Sequence, residues 1–277
     1  MNMDEAQQYE SDDIKEIDGD RINNIPDYLV WVKNKVNRRF GIQKSTISPW
    51  FRGEANAAWK LKPSLYRCEV SYEFEREILR DFKLYAAEFL DHRERSDIDW
   101  LFLAQHYGIP TRLIDWSENP LVALFFAVND CNTDVDGKIV SINPWELNKS
   151  SIDMLSVPTT DSPIFKEYVI DLTNKDLPRS IVARRPIAIR PYHVFRRSNA
   201  QSGMFTIHGV DTKALDQMSF VRRNKAACFR SILVNGKQKL AIKKDLLSLG
   251  ISHSALFQSI DDVAKTIRFR YSREFFR

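Results

Sequence analysis

The run from Gln105 to Ala127, QHYGIPTRLIDWSENPLVALFFA, constrains the chain more than any other stretch. Residues 97–107 carry a helical pattern, with Asp97 as its expected N-cap and Gly108 as its stop. Ile109-Pro110 then turns the chain, and TRLIDWS reads as a strand. Asn119 is the expected N-cap of the next helix, with Pro120 at its first position. A helix, a strand and a second helix thus follow one another through tight turns. On the strand, Arg112 and Ile114 face one way; Leu113, Asp115 and Ser117 face the other.

The remaining elements surround this unit without regular strand–helix–strand alternation. Residues 25–40 repeat apolar positions at helical spacing, through Tyr28, Leu29, Val32, Val36 and Phe40. TISPWFRGE (46–54) reads as a strand ending in a turn at Gly53, and KLKPSLYR (60–67) as extended chain broken by Pro63. Residues 71–91 predict a helix whose packed face is Phe74, Ile78, Phe82, Tyr85 and Phe89. Later strands are expected at 138–142, 181–189, 203–208 and 226–234. Residues 144–180 read as irregular, and helices are expected at 243–250 and 260–269, the last capped by Asp261 or Asp262. This order predicts an α+β fold: a single compact domain of mixed helices and short, largely antiparallel sheets.

Charge is distributed unevenly. Residues 1–20 hold eight acids and one Lys, and residues 179–277 hold 20 Lys and Arg against 6 acids. We expect 1–20 to be an acidic mobile tail and 21–277 to be the folded domain. The basic last third suits a nucleotide phosphate or a nucleic acid, as well as a plain solvated face. No apolar run approaches the ~20 residues of a membrane helix, and no signal-peptide pattern opens the chain. Cys68, Cys131 and Cys228 form no CxxC pair, which argues for a reducing cytoplasm and against a disulfide framework or zinc. No metal is expected.

Three clusters carry chemistry. Arg52 sits beside Gly53 and Glu54 at a strand end; its fork suits phosphate or carboxylate, and Gly53 permits close approach of the backbone to a ligand. Gln105, His106, Tyr107, Arg112, Asp115 and Ser117 gather around the central turn, ahead of a helix N-terminus at Asn119 that suits an anion. The third cluster runs from Arg196 through Gln201 to His208. Phosphate-binding loops of the GxxxxGK[ST] and GxGxxG kinds are absent from the sequence, as are GxSxG and HExxH.

Taken together these clusters resemble the FRG domain, in order along residues 22–270: WFRGE, KLKPSLYR, a helix of the EFEREILRDF kind, QHYGIPTRLIDWSENPLVALFFAV, then AQSGMFTIH and LGISHSALFQSIDDVAKTI. Glu54 stands where Gln is more usual, and Ser117 where Thr is usual. The resemblance implies a bacterial or phage-related protein.

A weaker resemblance connects Arg52-Gly53 and the run Trp116–Ala127 to ADP-ribosyltransferases of the Arg–Ser–Glu type. It implies an ADP-ribosyltransferase-like fold and NAD bound as a substrate. Arg52 would be the first element of that triad and Ser117 the second. Gln201 stands near the third position and is uncharged, which leaves Asp115 or Glu54 to supply a carboxylate. His106 or Tyr107 would stack on the base. The expected catalytic set is Arg52, Glu54, His106, Asp115 and Gln201. The expected binding set is Gly53, Gln105, Tyr107, Arg112, Ser117, Asn119 and His208.

The function so implied is a cytoplasmic effector, a toxin or anti-phage defence protein, that binds NAD or a nucleotide and transfers ADP-ribose or cleaves NAD. Its partners would be a protein or nucleic-acid target and an inhibitory or regulatory protein. Two alternatives stay open: a non-catalytic nucleotide or nucleic-acid binding module, and a nuclease or phosphoesterase using His106, Asp115 and His208.

Overall fold

A computed structural model describes residues 21–41, 48–67, 74–90, 95–130, 134–165, 168, 185–191, 203–257 and 259–272. The acidic segment 1–20, Cys68, Cys131 and Gln201 lie outside the described residues. Among the described residues, seven strands form one sheet: β1 (Arg21–Ile22), β2 (Trp50–Glu54), β3 (Leu113–Ser117), β4 (Gly137–Ile142), β5 (Ile187–Ile189), β6 (Gly203–Ile207) and β7 (Phe229–Val234). Their order is β1-β7-β4-β2-β3-β6-β5. Every neighbouring pair is antiparallel except β1 with β7. The class is α+β, with the short strands gathered into one sheet rather than several.

The helices are α1 (Ile25–Trp31), continued as a π-helix over Val32–Asn37, α2 (Ser64–Arg67), α3 (Glu75–Ala86), α4 (Asp97–His106) and α5 (Pro120–Ala127). They continue with α6 (Pro144–Ile152), α7 (Ser219–Arg223), α8 (Lys225–Cys228), α9 (Lys239–Ser248), α10 (His253–Phe257) and α11 (Ile260–Arg270). Among the described residues, no helix is long and apolar enough to cross a membrane.

Strand alternation assigns the core. One face of the sheet holds two apolar clusters. The first joins Tyr28, Trp31, Phe51, Val122, Phe125 and Ile139; the second joins Leu79, Leu101, Phe102, Leu113, Phe205 and Ile207. The other face buries Trp50, Ile114, Trp116, Val140 and Ala188 against Leu147, Leu215 and Met218. The boundary between the first two clusters runs along the junction of β2 and β3. There the register holds at Phe51↔Ser117 alone, whereas β2 pairs with β4 from Trp50 to Glu54 and β3 with β6 along its whole length. The sheet is therefore parted at one join.

Several expectations are corrected by tertiary context. Ser64–Arg67 is helical rather than extended, because Pro63 opens a turn. Helix α3 buries Glu75 and Leu79, while Phe74, Tyr85 and Phe89 are exposed. Glu75 reaches a buried arginine, and that pairing sets the helix rotation. Ser96, not Asp97, caps α4, in a reciprocal bond with Asp99. Ser259, not Asp261 or Asp262, caps α11. Helix α6 occupies part of the span read as irregular, and Asn143-Pro144 caps it as Asn119-Pro120 caps α5. The segment expected as strand from 226 is helical up to Cys228.

Candidate functional site

Where β2 and β3 part, a cleft of about 290 Å³ opens between the two apolar clusters. That lies near the lower end of ligand-pocket volumes, which run from roughly 300 Å³ upward. Arg52, Gly53, Asp115 and Ser117 line it from the strands, and Gln105 and His106 from the end of α4. Phe102, Phe126, Phe205, Trp116 and Phe257 supply aromatic walls.

Arg52 spans the parted strands. Its Nη1 donates to the Asp115 carbonyl at 3.0 Å, and its Nε donates to Glu54 Oε1 at 3.3 Å. A side chain thus supplies a donor to β3 where the strand ladder has stopped. The Asp115 carboxylate projects on the opposite face of the sheet from Glu54. Its Oδ2 accepts from Gln105 Nε2 at 2.5 Å. Gln105 Oε1 in turn accepts from the Thr111 hydroxyl at 2.5 Å, and that hydroxyl accepts from the Leu113 N–H at 3.2 Å. This chain sets which end of the Gln105 amide meets Asp115. The carboxylate is held in one place before any ligand arrives.

Residues 48–135, the span that builds β2, β3, α4 and α5, match the FRG domain family. The chain carries an FRG domain. No curated protein and no solved structure matches the chain. The matched span supplies the charged lining of the cleft, while Pro191, Gly203, Phe205 and Phe257 close it from outside the FRG match.

Within the FRG domain, the structure brings Arg52, Gly53, Gln105, His106, Asp115 and Ser117 together. Other expected site residues are placed elsewhere. Glu54 is buried behind Arg52, with its second oxygen 3.3 Å from Lys138 Nζ. Arg112 is buried against Glu75, whose Oε1 accepts the Arg112 N–H at 2.8 Å and whose Oε2 accepts from Arg112 Nε. Tyr107 is exposed, its ring edge-on to His106 with centroids 5.1 Å apart. Asn119 caps α5: its Oδ1 accepts from the Leu121 N–H at 2.9 Å, so that helix end is already satisfied by its own side chain. Ser117 Oγ accepts from the Asn119 N–H at 3.0 Å and fixes the same turn. The close approach that Gly53 makes is to α5: a Cβ there would lie 1.7 Å from the Ala123 carbonyl oxygen.

His208 lies just past β6 and is fully buried on the far face of the sheet. Its Nε2 sits 3.1 Å from Thr206 Oγ1, which also accepts from Trp116 Nε1 at 3.1 Å. Burial first, and the Arg52 charge second, push its imidazole down to about 3. It is neutral when folded and takes up a proton on unfolding below its ordinary value. Stability therefore falls as pH drops from about 6.5 towards 3. At pH 5 the loss attributable to His208 is on the order of 2 kcal/mol relative to pH 7. His253, lowered by burial and by Lys243 and Lys265, acts in the same direction. Urea unfolding of wild type and His208→Asn at the two pH values isolates the His208 share. An equal drop in both proteins removes His208 as the source.

Thr111, Glu75, Lys138 and the aromatic walls were not singled out in the sequence. Thr111 lay inside the central motif, where its hydroxyl was a visible signal. Phe205 and Phe257 carried none, since each is an apolar residue in an apolar run. Among the described residues, no group of three or more His, Cys, Asp and Glu could hold a metal ion.

Proposed function

We propose that the cleft binds NAD with the nicotinamide-bearing ribose at Asp115, and that the protein breaks the bond between that ribose and nicotinamide. The observation that carries this reading is a single carboxylate, oriented through Gln105 and Thr111, facing an aromatic-walled cleft beside an arginine. Nicotinamide leaves with the bonding electron pair, and positive charge develops on the ribose carbon and ring oxygen. A pre-positioned carboxylate stabilises that charge without reorganising. Water, or an acceptor side chain or nucleic acid, then adds at the same carbon and loses its proton to solvent. Phe102, Phe126 and Phe205 offer faces for a planar ring. Arg52 meets a phosphate or ribose oxygen, and Glu54 holds Arg52 in place. This reading includes a cytoplasmic setting and, from the family resemblance, an effector role with a restraining partner.

Proton NMR of released nicotinamide tests it. Wild type releases nicotinamide from NAD, and Asp115→Asn lowers the rate about 10²–10³-fold while the melting temperature stays within a few degrees. Asp115 is exposed, so its replacement leaves the core intact. NAD bound but never cleaved by wild type supports the second reading, a nucleotide-binding module. NAD neither bound nor cleaved, alone or with cell lysate, ends both.

A further inference from the structure

Helix α11 carries its apolar stripe on the outside. Ile260, Val263 and Ile267, with Tyr271 just past the helix end, recur at three- and four-residue spacing and are 45–89% exposed. The packed face is the opposite one, formed by Asp262, Thr266 and Phe269. Asp262 is buried and accepts from Lys265 Nζ at 2.9 Å. Thr266 Oγ1 accepts from the Ser254 N–H of α10 at 2.9 Å, and the Phe269 ring lies 4.7 Å from Lys243 Nζ of α9. A surface helix ordinarily turns its apolar stripe inward. At 3.6 residues per turn, Arg268 and Arg270 fall on either side of the outward stripe. Among the described residues neither has an ion-pair partner, and Asp261 is the one exposed acid of this helix.

Four side chains on and beside an 11-residue helix are too few for a stable complex between free molecules, which takes about 800 Å² per partner. A tethered segment needs far less, because the tether holds it at an effective concentration on the order of 1 mM. The chain supplies an acidic one. Residues 1–20 hold eight acids and one Lys, with Tyr9, Ile14 and Ile17 set among them. That segment runs into β1, and Ile22 of β1 shares an apolar cluster with Leu256 of α10, the helix on which α11 packs. The 12 residues from Tyr9 to Arg21 span up to about 40 Å when extended. We propose that the outward face of α11 is the docking surface of this acidic segment of the same chain, with Tyr9, Ile14 and Ile17 on the stripe and the carboxylates around them on Arg268 and Arg270. The stripe then loses its water, and the two arginines gain the counter-charges that the folded domain does not give them. With so few contacts the segment exchanges between docked and free. Phe257 of α10 lines the cleft, so the docked segment bears on the hairpin that closes it. The inference does not rest on NAD being the ligand of the cleft.

NMR of the full chain, labelled at amides and at Ile and Val methyls, is the test. In wild type, Ile14 or Ile17 methyls show cross-relaxation to those of Val263 or Ile267. Amide exchange over residues 9–18 is about 3–10-fold slower than in a synthetic peptide of residues 1–20. The double variant Val263→Ser/Ile267→Ser brings exchange back to the peptide rate; both residues are exposed, so the fold is kept. Arg268→Gln/Arg270→Gln reduces the protection about twofold or more, and so does raising the salt to about 0.5 M with wild type. Leu84→Ser/Tyr85→Ser, on the exposed apolar face of α3, leaves it unchanged. Peptide-like exchange in wild type overturns the docking. Protection that survives the α11 double variant, or is lost with Leu84 and Tyr85, places the segment elsewhere and overturns it as well. A mixture of labelled and unlabelled chains separates the occupants. Cross-relaxation between copies, with none within a copy, overturns the docking in favour of an interface between two chains. No readout involves NAD, so failure here and failure of the NAD reading are distinguishable.

Discussion

Gly53→Ala lowers the melting temperature by roughly 6–12 °C and distorts the cleft, an effect of about 3 kcal/mol or more. The added methyl would lie 1.7 Å from the Ala123 carbonyl oxygen and 2.7 Å from the Ala127 nitrogen. Both are backbone atoms of α5, so no rotamer relieves the clash; the helix itself must move. Val122, Ala123 and Phe126 of that helix line the cleft, so displacement also changes the shape of the site. Gly137→Ala acts on the same helix from β4, at 2.4 Å from the Ala127 carbonyl oxygen. Gly108→Ala is the control. Its methyl meets nothing within 4 Å, and it bears only the strain of a positive φ of 78°, about 1–2 kcal/mol. Thermal melts of the three variants give the order. A Gly53 variant as stable as the Gly108 variant would falsify the tight seating of α5 on β2.

Gly53 also shows where sequence reasoning reaches and where it stops. A glycine beside an arginine suggests a turn and close approach of the backbone to a ligand, but the strand runs on through Gly53 to Glu54, and the approaching group is a helix that starts far along the chain. What was legible was local: the Asn119-Pro120 cap, the Gly108 stop, and the alternation that sets Asp115 and Ser117 on one face. These depend on a few neighbouring residues and their backbone preferences. The gathering of Gln105, Asp115 and Ser117 was likewise within reach, since one turn joins their elements. The parting of β2 from β3 was not, because register between distant strands follows from the packing of both faces at once. The rotation of α3 failed for a related reason. Its aromatic stripe suggested a buried face, yet one buried ion pair and Leu79 turned the helix the other way. Asn143-Pro144 was a missed local signal, identical in kind to the one read at Asn119-Pro120.

That ion pair carries the second large effect. Glu75→Ala destabilises the protein by about 3–5 kcal/mol, because it takes the carboxylate away from the buried Arg112 guanidinium. Glu75 is 0% exposed and Arg112 2% exposed, so water does not replace the lost partner. The same change removes the acceptor of the Arg112 N–H. Replacing both residues by methionine removes the two charges together and leaves that N–H unsatisfied. The double variant therefore recovers most of the loss and stays about 1–3 kcal/mol below wild type. Urea unfolding of the singles and the double measures the coupling directly. If Glu75→Ala falls within 1 kcal/mol of wild type, the pair is not what orders the start of β3. The consequence for the cleft is positional. Arg112 immediately follows Thr111, whose hydroxyl orients Gln105, and Gln105 holds Asp115. Loosening Arg112 therefore reaches the carboxylate through three side chains, none of which changes its chemistry. If the cleft cleaves NAD as proposed, nicotinamide release by the folded fraction falls in Glu75→Ala and returns in the double variant, in step with the recovered stability.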